Sequence, residues 1–352
     1  MTILVTGGAG FIGSNFVHDW FLKNNERIIN VDKLSYAGNV ENLASLKDNE
    51  LHVFVLGDIA DKVLIEEILT KYKPRAVVNF AAETHVDRSI IDPENFVLTN
   101  IVGTFELLNC IKPYWEKFFK NNGQDFRFLH ISTDEVYGSL GIKTPSFTEN
   151  NRYKPNSPYS ASKASSDHLV RAFYKTYGLP VITTNCSNNY GPFQFREKLI
   201  PLAIHNALRR TPIPIYGTGL NVRDWLFVKD HCSALRKVLE IGKIGEVYNI
   251  GGLNEKTNID IIHTICDVLD NLRPIGNEFS IKSYRELITY VEDRKGHDYR
   301  YSVNIEKIEK TLGWRPMETF ESGIQKTVEW YISHIDSSHK KNLSLNIKRN
   351  DQ

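Results

Sequence analysis

The sequence predicts an α/β fold, a doubly wound parallel sheet joined to a smaller α+β lobe, on three observations. Short β-branched runs alternate with longer amphipathic stretches through the first half of the chain. One of those runs, Ala76-Val77-Val78-Asn79-Phe80-Ala81-Ala82, is almost continuously apolar, as a strand is when helices cover both faces of its sheet. After about residue 186 the alternation gives way to turn-rich pieces, among them Tyr190-Gly191-Pro192 and Tyr216-Gly217-Thr218-Gly219. The 352 residues are 41% hydrophobic, long enough for two lobes and apolar enough to bury a core.

In chain order, strands are predicted over 2–6, 27–31, 52–56, 76–81, 127–132 and 181–185, and helices near 11–24, 61–72, 93–121 and 158–177. A first unit is expected over 1–185, with segments of about 225–250 returning to it, and an interleaved second lobe over 186–335. The polar, lysine-rich stretch 337–352 is expected to be a frayed tail.

Composition excludes several roles. With 43 Lys plus Arg against 42 Asp plus Glu, the net charge of +1 removes the electrostatic case for nucleic acid or an acidic membrane as partner. No apolar run approaches the roughly 18 residues of a membrane span. The chain enters a strand-like run at once, without a basic segment or cleavage site, so a soluble, cytoplasmic protein is expected. Cys110, Cys186, Cys232 and Cys266 lie far apart with no Cys-x-x-Cys pair, so neither a metal site nor a disulfide framework is expected.

Gly7-Gly8-Ala9-Gly10-Phe11-Ile12-Gly13 joins the first strand to the first helix. Glycines at Gly7, Gly10 and Gly13 allow a tight turn, a close backbone approach to a pyrophosphate and close helix–strand packing. A diphosphate would then meet the free N–H groups of the helix start, at Phe11 and Ile12. A glycine turn alone is weak, but a strand precedes this one, a helix follows, and Asp32 ends the second strand nineteen residues past Gly13. Together these are a Rossmann-type dinucleotide fingerprint. Asp32 can accept from both ribose hydroxyls and repels a 2′-phosphate, which favours NAD over NADP; Lys33 softens that preference. Asp58, followed by Ile59, closes the third strand, where an acid can hold an adenine amine or simply solvate a turn.

Ser157-Pro158 is a sound helix start, and Tyr159 and Lys163 follow on one helix face. A phenol titrates near 10, and bringing it to neutrality is a lowering of about three pH units, roughly 4 kcal/mol. The Lys163 ammonium and a positive nicotinamide would both favour the phenolate. Ser132-Thr133-Asp134-Glu135-Val136-Tyr137-Gly138 sits where the fifth strand ends, the edge at which such sheets bind ligands. Thr133 can hydrogen-bond a hydroxyl being oxidised. Asp134 and Glu135 would point to opposite faces of an ideal strand, so joint action requires the chain to turn there.

These residues resemble the extended short-chain dehydrogenase/reductases. More narrowly, Asp32-Lys33-Leu34-Ser35-Tyr36-Ala37-Gly38-Asn39, Ala81-Ala82-Glu83-Thr84-His85-Val86-Asp87-Arg88-Ser89, the segment from Ser132 to Gly138 and Asn185-Cys186-Ser187-Asn188-Asn189-Tyr190-Gly191-Pro192 resemble the dTDP-glucose 4,6-dehydratase family, over residues 1 to about 330. The resemblance implies that NAD is held tightly and recycled, with Lys33, Leu34, Ser35, Ala81, Ala82, Thr99 and Asn189 completing its site. It implies Tyr159 as base toward the sugar O4, Glu135 as base at C5 and Asp134 as acid at the C6 hydroxyl. On the side of the substrate, a nucleotide sugar, it implies sugar contacts from Thr84 and Asn188, and a nucleotide pocket lined by Lys198, Leu199, Pro214, Tyr216 and Asn258. Arg223, Arg294 and His297 would grip the diphosphate, and a homodimer would form through the helices near 93–121 and 158–177. Two departures stand out: Lys295 and Arg196 occupy positions where the family usually has proline. A UDP-glucose dehydratase, a sugar-nucleotide 4-epimerase or a non-catalytic NAD-binding regulator would share much of this pattern. The epimerase has no use for Asp134 and Glu135 as an acid/base pair, and a regulator tends to lose the Tyr or the Lys.

Overall fold

The structure is a computed structural model that describes residues 1–293 and 296–350, those from 336 onward by backbone alone. Its strands are β1 (Thr2–Thr6), β2 (Arg27–Asp32), β3 (His52–Leu56), β4 (Ala76–Asn79), β5 (Arg127–Thr133), β6 (Val181–Cys186), β7 (Asn188–Tyr190), β8 (Ile213–Tyr216), β9 (Val222–Phe227), β10 (Val247–Ile250), β11 (Glu255–Thr257), β12 (Ile288–Val291) and β13 (Arg300–Tyr301). The helices are α1 (Phe11–Lys23), α2 (Lys62–Tyr72), α3 (Val86–Ile91), α4 (Glu94–Phe96), α5 (Thr104–Phe118), α6 (Pro158–Tyr177), α7 (Leu199–Leu208), α8 (Val228–Ile241), α9 (Asn258–Leu272), α10 (Glu306–Leu312) and α11 (Phe320–Asn350).

Seven parallel strands form the central sheet in the order β10-β6-β5-β4-β1-β2-β3. The order reverses between β1 and β4, and a crevice opens there at the carboxyl ends of the strands. Alternation along each strand feeds two cores. Ile3, Val5, Ile28 and Val78 face one side with Phe16, Trp20 and Leu235, while Leu4, Ile29 and Val77 face the other with Ile65, Leu107 and Phe128. Strand β4 is buried along its whole length, as its apolar run predicts, but ends at Asn79, two residues short of the predicted end.

The chain then leaves the sheet. Strands β11, β9 and β13 build a small sheet joined by β7, and β8 pairs in parallel with β12. Helices α7, α9 and α11 bury Ile200, Ile204, Ile261, Ile265, Phe320 and Ile324 against these strands. Strand β9 runs straight into α8, which packs against α1, and β10 pairs with β6 through Val247 and Thr183. The side chains of the expected tail, 337–352, lie outside the described residues.

The helix predicted near 93–121 is not continuous. Residues Val97–Gly103 form a π-helical turn between α4 and α5. The reason lies in side chains: Asn100 binds both backbone groups of Glu83 (2.8 and 3.0 Å) and the Ser162 hydroxyl (2.8 Å), and Thr99 accepts from Lys33 Nζ (2.7 Å). The wider turn carries both side chains to the crevice, a common use of π-bulges.

Candidate active site

The glycine turn is built for close approach. Gly7 sits at φ +72, where a β-carbon would also meet the Ala81 nitrogen at 2.6 Å; one on Gly13 would meet the Gly7 carbonyl at 2.3 Å. Asp32 ties this turn to β2, accepting from the backbone N–H of Ala9 (2.9 Å) and Leu34 (2.8 Å). Burial raises its carboxyl above the usual range, against those bonds and the Lys33 charge. Lys33 lies 3.3 Å from Asp58, which also accepts from the Ala60 N–H, so the acid at the end of β3 is paired as well as turn-forming. Gly7, Gly10, Phe11, Ile12, Gly13, Asp32, Lys33, Ser35, Asp58, Ile59, Ala81, Ala82 and Thr99 line one cavity. Leu34 is at its edge through its backbone only.

The same cavity continues to the end of β5, where Thr133, Glu135, Tyr159 and Lys163 complete it with Thr84, Asn188, Asn189 and Lys198. The chain does turn after β5: Asp134–Tyr137 form a 3-10 turn capped by Thr133, whose hydroxyl accepts from the Glu135 N–H at 3.2 Å. Glu135 therefore faces the cavity, while Asp134 points inward and is 1% exposed. Asp134 Oδ2 has no hydrogen-bond partner, and Oδ1 meets only the Thr133 hydroxyl at 3.4 Å. Burial, then the charges of Glu135 and Asp224, push this carboxyl well above the usual range, with Arg223 and Thr133 pulling the other way. A carboxyl in that setting favours its neutral, proton-donating form.

Helix α6 presents the other partners. Ser157 and Ser160 form a capping box, Pro158 takes the first helical position, and the helix stops at Gly178 in the left-handed region. One turn apart, Tyr159 and Lys163 are 8% and 4% exposed. Here an expectation needs correction. Lys163 Nζ donates to the Ile131 carbonyl at 2.8 Å, not to the phenol. Burial and the Glu135 charge hold the Tyr159 phenol well above its ordinary value, with only Thr133 among the leading influences lowering it. Protein groups alone thus keep this phenol neutral.

The expected diphosphate cations do not converge on the cavity. Arg223 is 4% exposed and donates to the carbonyls of Val222, Asp298 and Tyr299, its guanidinium 4.4 Å from the Tyr301 ring centre. It stands behind Asp134 rather than on the cavity wall. His297 Nδ1 lies 2.6 Å from Asp293, and Arg294 and Lys295 lie outside the described residues. Leu199, Pro214, Tyr216 and Asn258 also stand off the cavity, on the second lobe. Lys198 does reach the site, donating to the Thr84 carbonyl at 3.1 Å, and Asn189 is held by His231 at 2.9 Å. The departure at Arg196 precedes Glu197, which pairs with His85 and Arg88 at 3.3 and 3.1 Å.

Several lining residues were assigned no role from sequence: Tyr36, Glu83, Cys186, Ser187, Gln194 and Phe195. The first four lie inside motifs already singled out, so position in those motifs was a usable signal. Gln194 and Phe195 follow the Gly191-Pro192 turn and carry none. Among the described residues no cluster of three or more His, Cys, Asp or Glu could hold a metal, and no helix is long and apolar enough to cross a membrane.

A glycine-cradled crevice at the sheet's switch point, with a Tyr/Lys helix beside it, defines the class: an extended short-chain dehydrogenase/reductase. Comparison narrows it. The family model described as GDP-mannose 4,6 dehydratase matches residues 4–327. The dTDP-glucose 4,6-dehydratase of Shigella flexneri is 56% identical over 344 residues, 96% of this chain and 94% of that protein. The crystal structure of the Bacillus anthracis enzyme of the same name, in complex with NAD, is 48% identical with a TM-score of 0.82, covering 95% of this chain and 97% of that one. The Streptomyces venezuelae dTDP-glucose 4,6-dehydratase structure, also with NAD bound, is 44% identical with a TM-score of 0.85 and the same coverage. The chain belongs to the dTDP-glucose 4,6-dehydratase family.

Proposed function

We propose that this protein is an NAD-dependent hydro-lyase that converts dTDP-glucose to its 4-keto-6-deoxy derivative, for deoxysugar synthesis. The observation that carries the reading is the turn after β5, which sets a buried, neutral-favouring Asp134 directly behind a cavity-facing Glu135 and beside Tyr159. A plain dehydrogenase needs one base; an elimination needs a base and an acid.

The residues fit NAD: the Gly7–Gly13 turn would take the pyrophosphate, Asp32 the ribose, and Asp58 with Lys33 and Thr99 the adenine end. NAD, when bound, supplies the chemistry of accepting the C4 hydride and returning it to C6, so there is no net redox change. Tyr159 removes the O4 proton, with Thr133 holding that hydroxyl. The positive charges of Lys163 and the nicotinamide must overcome the burial that raises the phenol. Glu135 removes the proton at C5, made acidic by the C4 ketone, and Asp134 gives its proton to the departing C6 hydroxyl. Thr84, Asn188 and Lys198 meet the substrate within the cavity. Arg223, Arg294, His297, Leu199, Pro214, Tyr216 and Asn258 belong to the diphosphate and nucleotide side, and closure of the second lobe (186–335) over the cofactor unit (1–185 with about 225–250) would bring them in.

We further infer that the protein is a cytoplasmic homodimer. Ile91 is 84% exposed, with Ile90, Val97, Leu98, Val102 and Phe105 exposed on the same α3–α5 surface.

The test is incubation with dTDP-, UDP- and CDP-glucose followed by alkali, which develops ultraviolet absorbance from 4-keto-6-deoxy products. Product from dTDP-glucose is expected; none from any glucose nucleotide overturns the reading. Glu135→Gln should reduce bound NAD yet stall before elimination, whereas Tyr159→Phe should form no NADH. Parental product formation in Glu135→Gln would remove it as the base.

A further inference from the structure

Lys163 presents an electrostatic problem that Tyr159 does not solve. Its ammonium is 4% exposed and makes one hydrogen bond, to a neutral carbonyl. A buried cation without a counter-charge loses its proton, and burial does lower Lys163 from its ordinary value. One helical turn further along the same face of α6 lies Asp167, itself 5% exposed and the carboxylate whose charge opposes that loss.

Asp167 is held in place from three elements. Its Oδ2 accepts from Ser132 Oγ at the end of β5 (2.8 Å) and from the Tyr153 hydroxyl in the loop before α6 (3.0 Å). Its Oδ1 has no hydrogen bond and lies 3.3 Å from His130 Nε2. His130 is wholly buried, and Asn79 Nδ2, which can only donate, meets its Nδ1 at 3.2 Å. Burial keeps this imidazole neutral, so it adds no competing positive charge. The other titratable groups facing the pair are Cys186 from β6, whose thiol burial pushes up to about 12, and Asp134 and Glu135 across Tyr159.

We propose that Asp167 is a positioning residue for the reaction, the buried counter-charge that keeps the Lys163 ammonium protonated and oriented toward Tyr159. The proposal rests on reading Tyr159 and Lys163 as the base and its electrostatic support. Ser132 and Tyr153 aim the carboxylate, and the chain continues from Tyr153 through Asn185 (3.1 Å) to Tyr137 (2.9 Å), so the charge is anchored in the sheet rather than on a mobile surface.

The test is the pH profile of single-turnover NADH formation by the holoenzyme with dTDP-glucose. Asp167→Asn keeps the shape and removes the charge. Lys163 should then lose its proton at lower pH and Tyr159 ionise at higher pH, so the profile narrows from both sides, by about one pH unit in all, with a roughly tenfold lower maximum. Asp167→Glu, which restores the charge, should recover the parental width. A second readout needs no substrate: the melting temperature lost in Asp167→Asn should be larger near about pH 6 than near about pH 9, where Lys163 is discharged in both proteins. An unchanged profile in folded Asp167→Asn, or an equal narrowing in Asp167→Glu, overturns the proposal. If Asp167→Asn does not fold, Ser132→Ala removes one anchoring bond and should narrow the profile less; a parental profile there overturns it too. Failure of the parent reading is distinguishable, because it shows as NADH formation in Tyr159→Phe whatever Asp167 does.

Discussion

Asp134 and Glu135 are neighbours in sequence, yet the turn after β5 buries one and leaves the other facing the cavity. That difference has a consequence for stability. The unfolded chain ionises Asp134 near the ordinary 3.8, whereas the folded chain holds its proton to much higher pH. The stabilisation linked to this group is therefore complete below that value and is lost as pH rises toward the folded one. Asn is neutral at every pH and of the same shape. Asp134→Asn is thus expected to melt higher than the parent near about pH 8, with the gap closing toward about pH 4, while elimination slows by about a hundredfold or more. Thermal melts at the two pH values check the first part and single-turnover product formation the second. A variant less stable than the parent at the higher pH would show that Asp134 is ionised in the fold.

At the scale of elements, periodicity made the sheet and most of its helices legible. The helix carrying Tyr159 was predicted at 158–177 and is Pro158–Tyr177, because its Ser-Pro start and Gly178 stop are local chemistry. The π-helical turn was not legible, since its cause is a set of bonds between Asn100 and residues 17 and 62 positions away. Arg223 was misplaced for the same reason: its partners, the carbonyls of Asp298 and Tyr299, are 75 and 76 residues distant and leave no local mark. The inward direction of Asp134 depended on a turn that alternation alone does not announce. The π turn is itself open to test. Asn100→Ala leaves the Glu83 backbone groups buried without partners, at a cost of about 2–3 kcal/mol. A lower urea midpoint is expected, together with weaker NAD binding, because Thr99 and its bond to Lys33 ride on the same turn. A loss of stability with unchanged cofactor affinity would separate the turn from the site.

For the molecule as a whole, the exposed apolar surface of α3–α5 lies directly behind the chemistry. Phe96, at the end of α4, packs edge-on against Tyr159 with ring centres 6.3 Å apart, and the π turn that bears exposed Val97, Leu98 and Val102 also bears Thr99 and Asn100. Phe105 packs edge-on against Phe173, which in turn meets Tyr177 near the end of α6, so the patch runs across two helices. A two-fold contact would bring each such patch against its own copy. Covering it would also restrain α6 and the π turn, the two elements that hold Tyr159, Lys163 and Asn100. Leu98→Glu combined with Phe105→Glu sets like charges on both sides of that contact. Sedimentation is expected to give the single-chain mass of 40.4 kDa for this variant and twice that for the parent. Its turnover should fall about tenfold even with NAD saturating, as positioning of the catalytic groups loosens. A monomeric parent removes the interface; a monomeric variant with parental turnover keeps the interface but frees the chemistry from it.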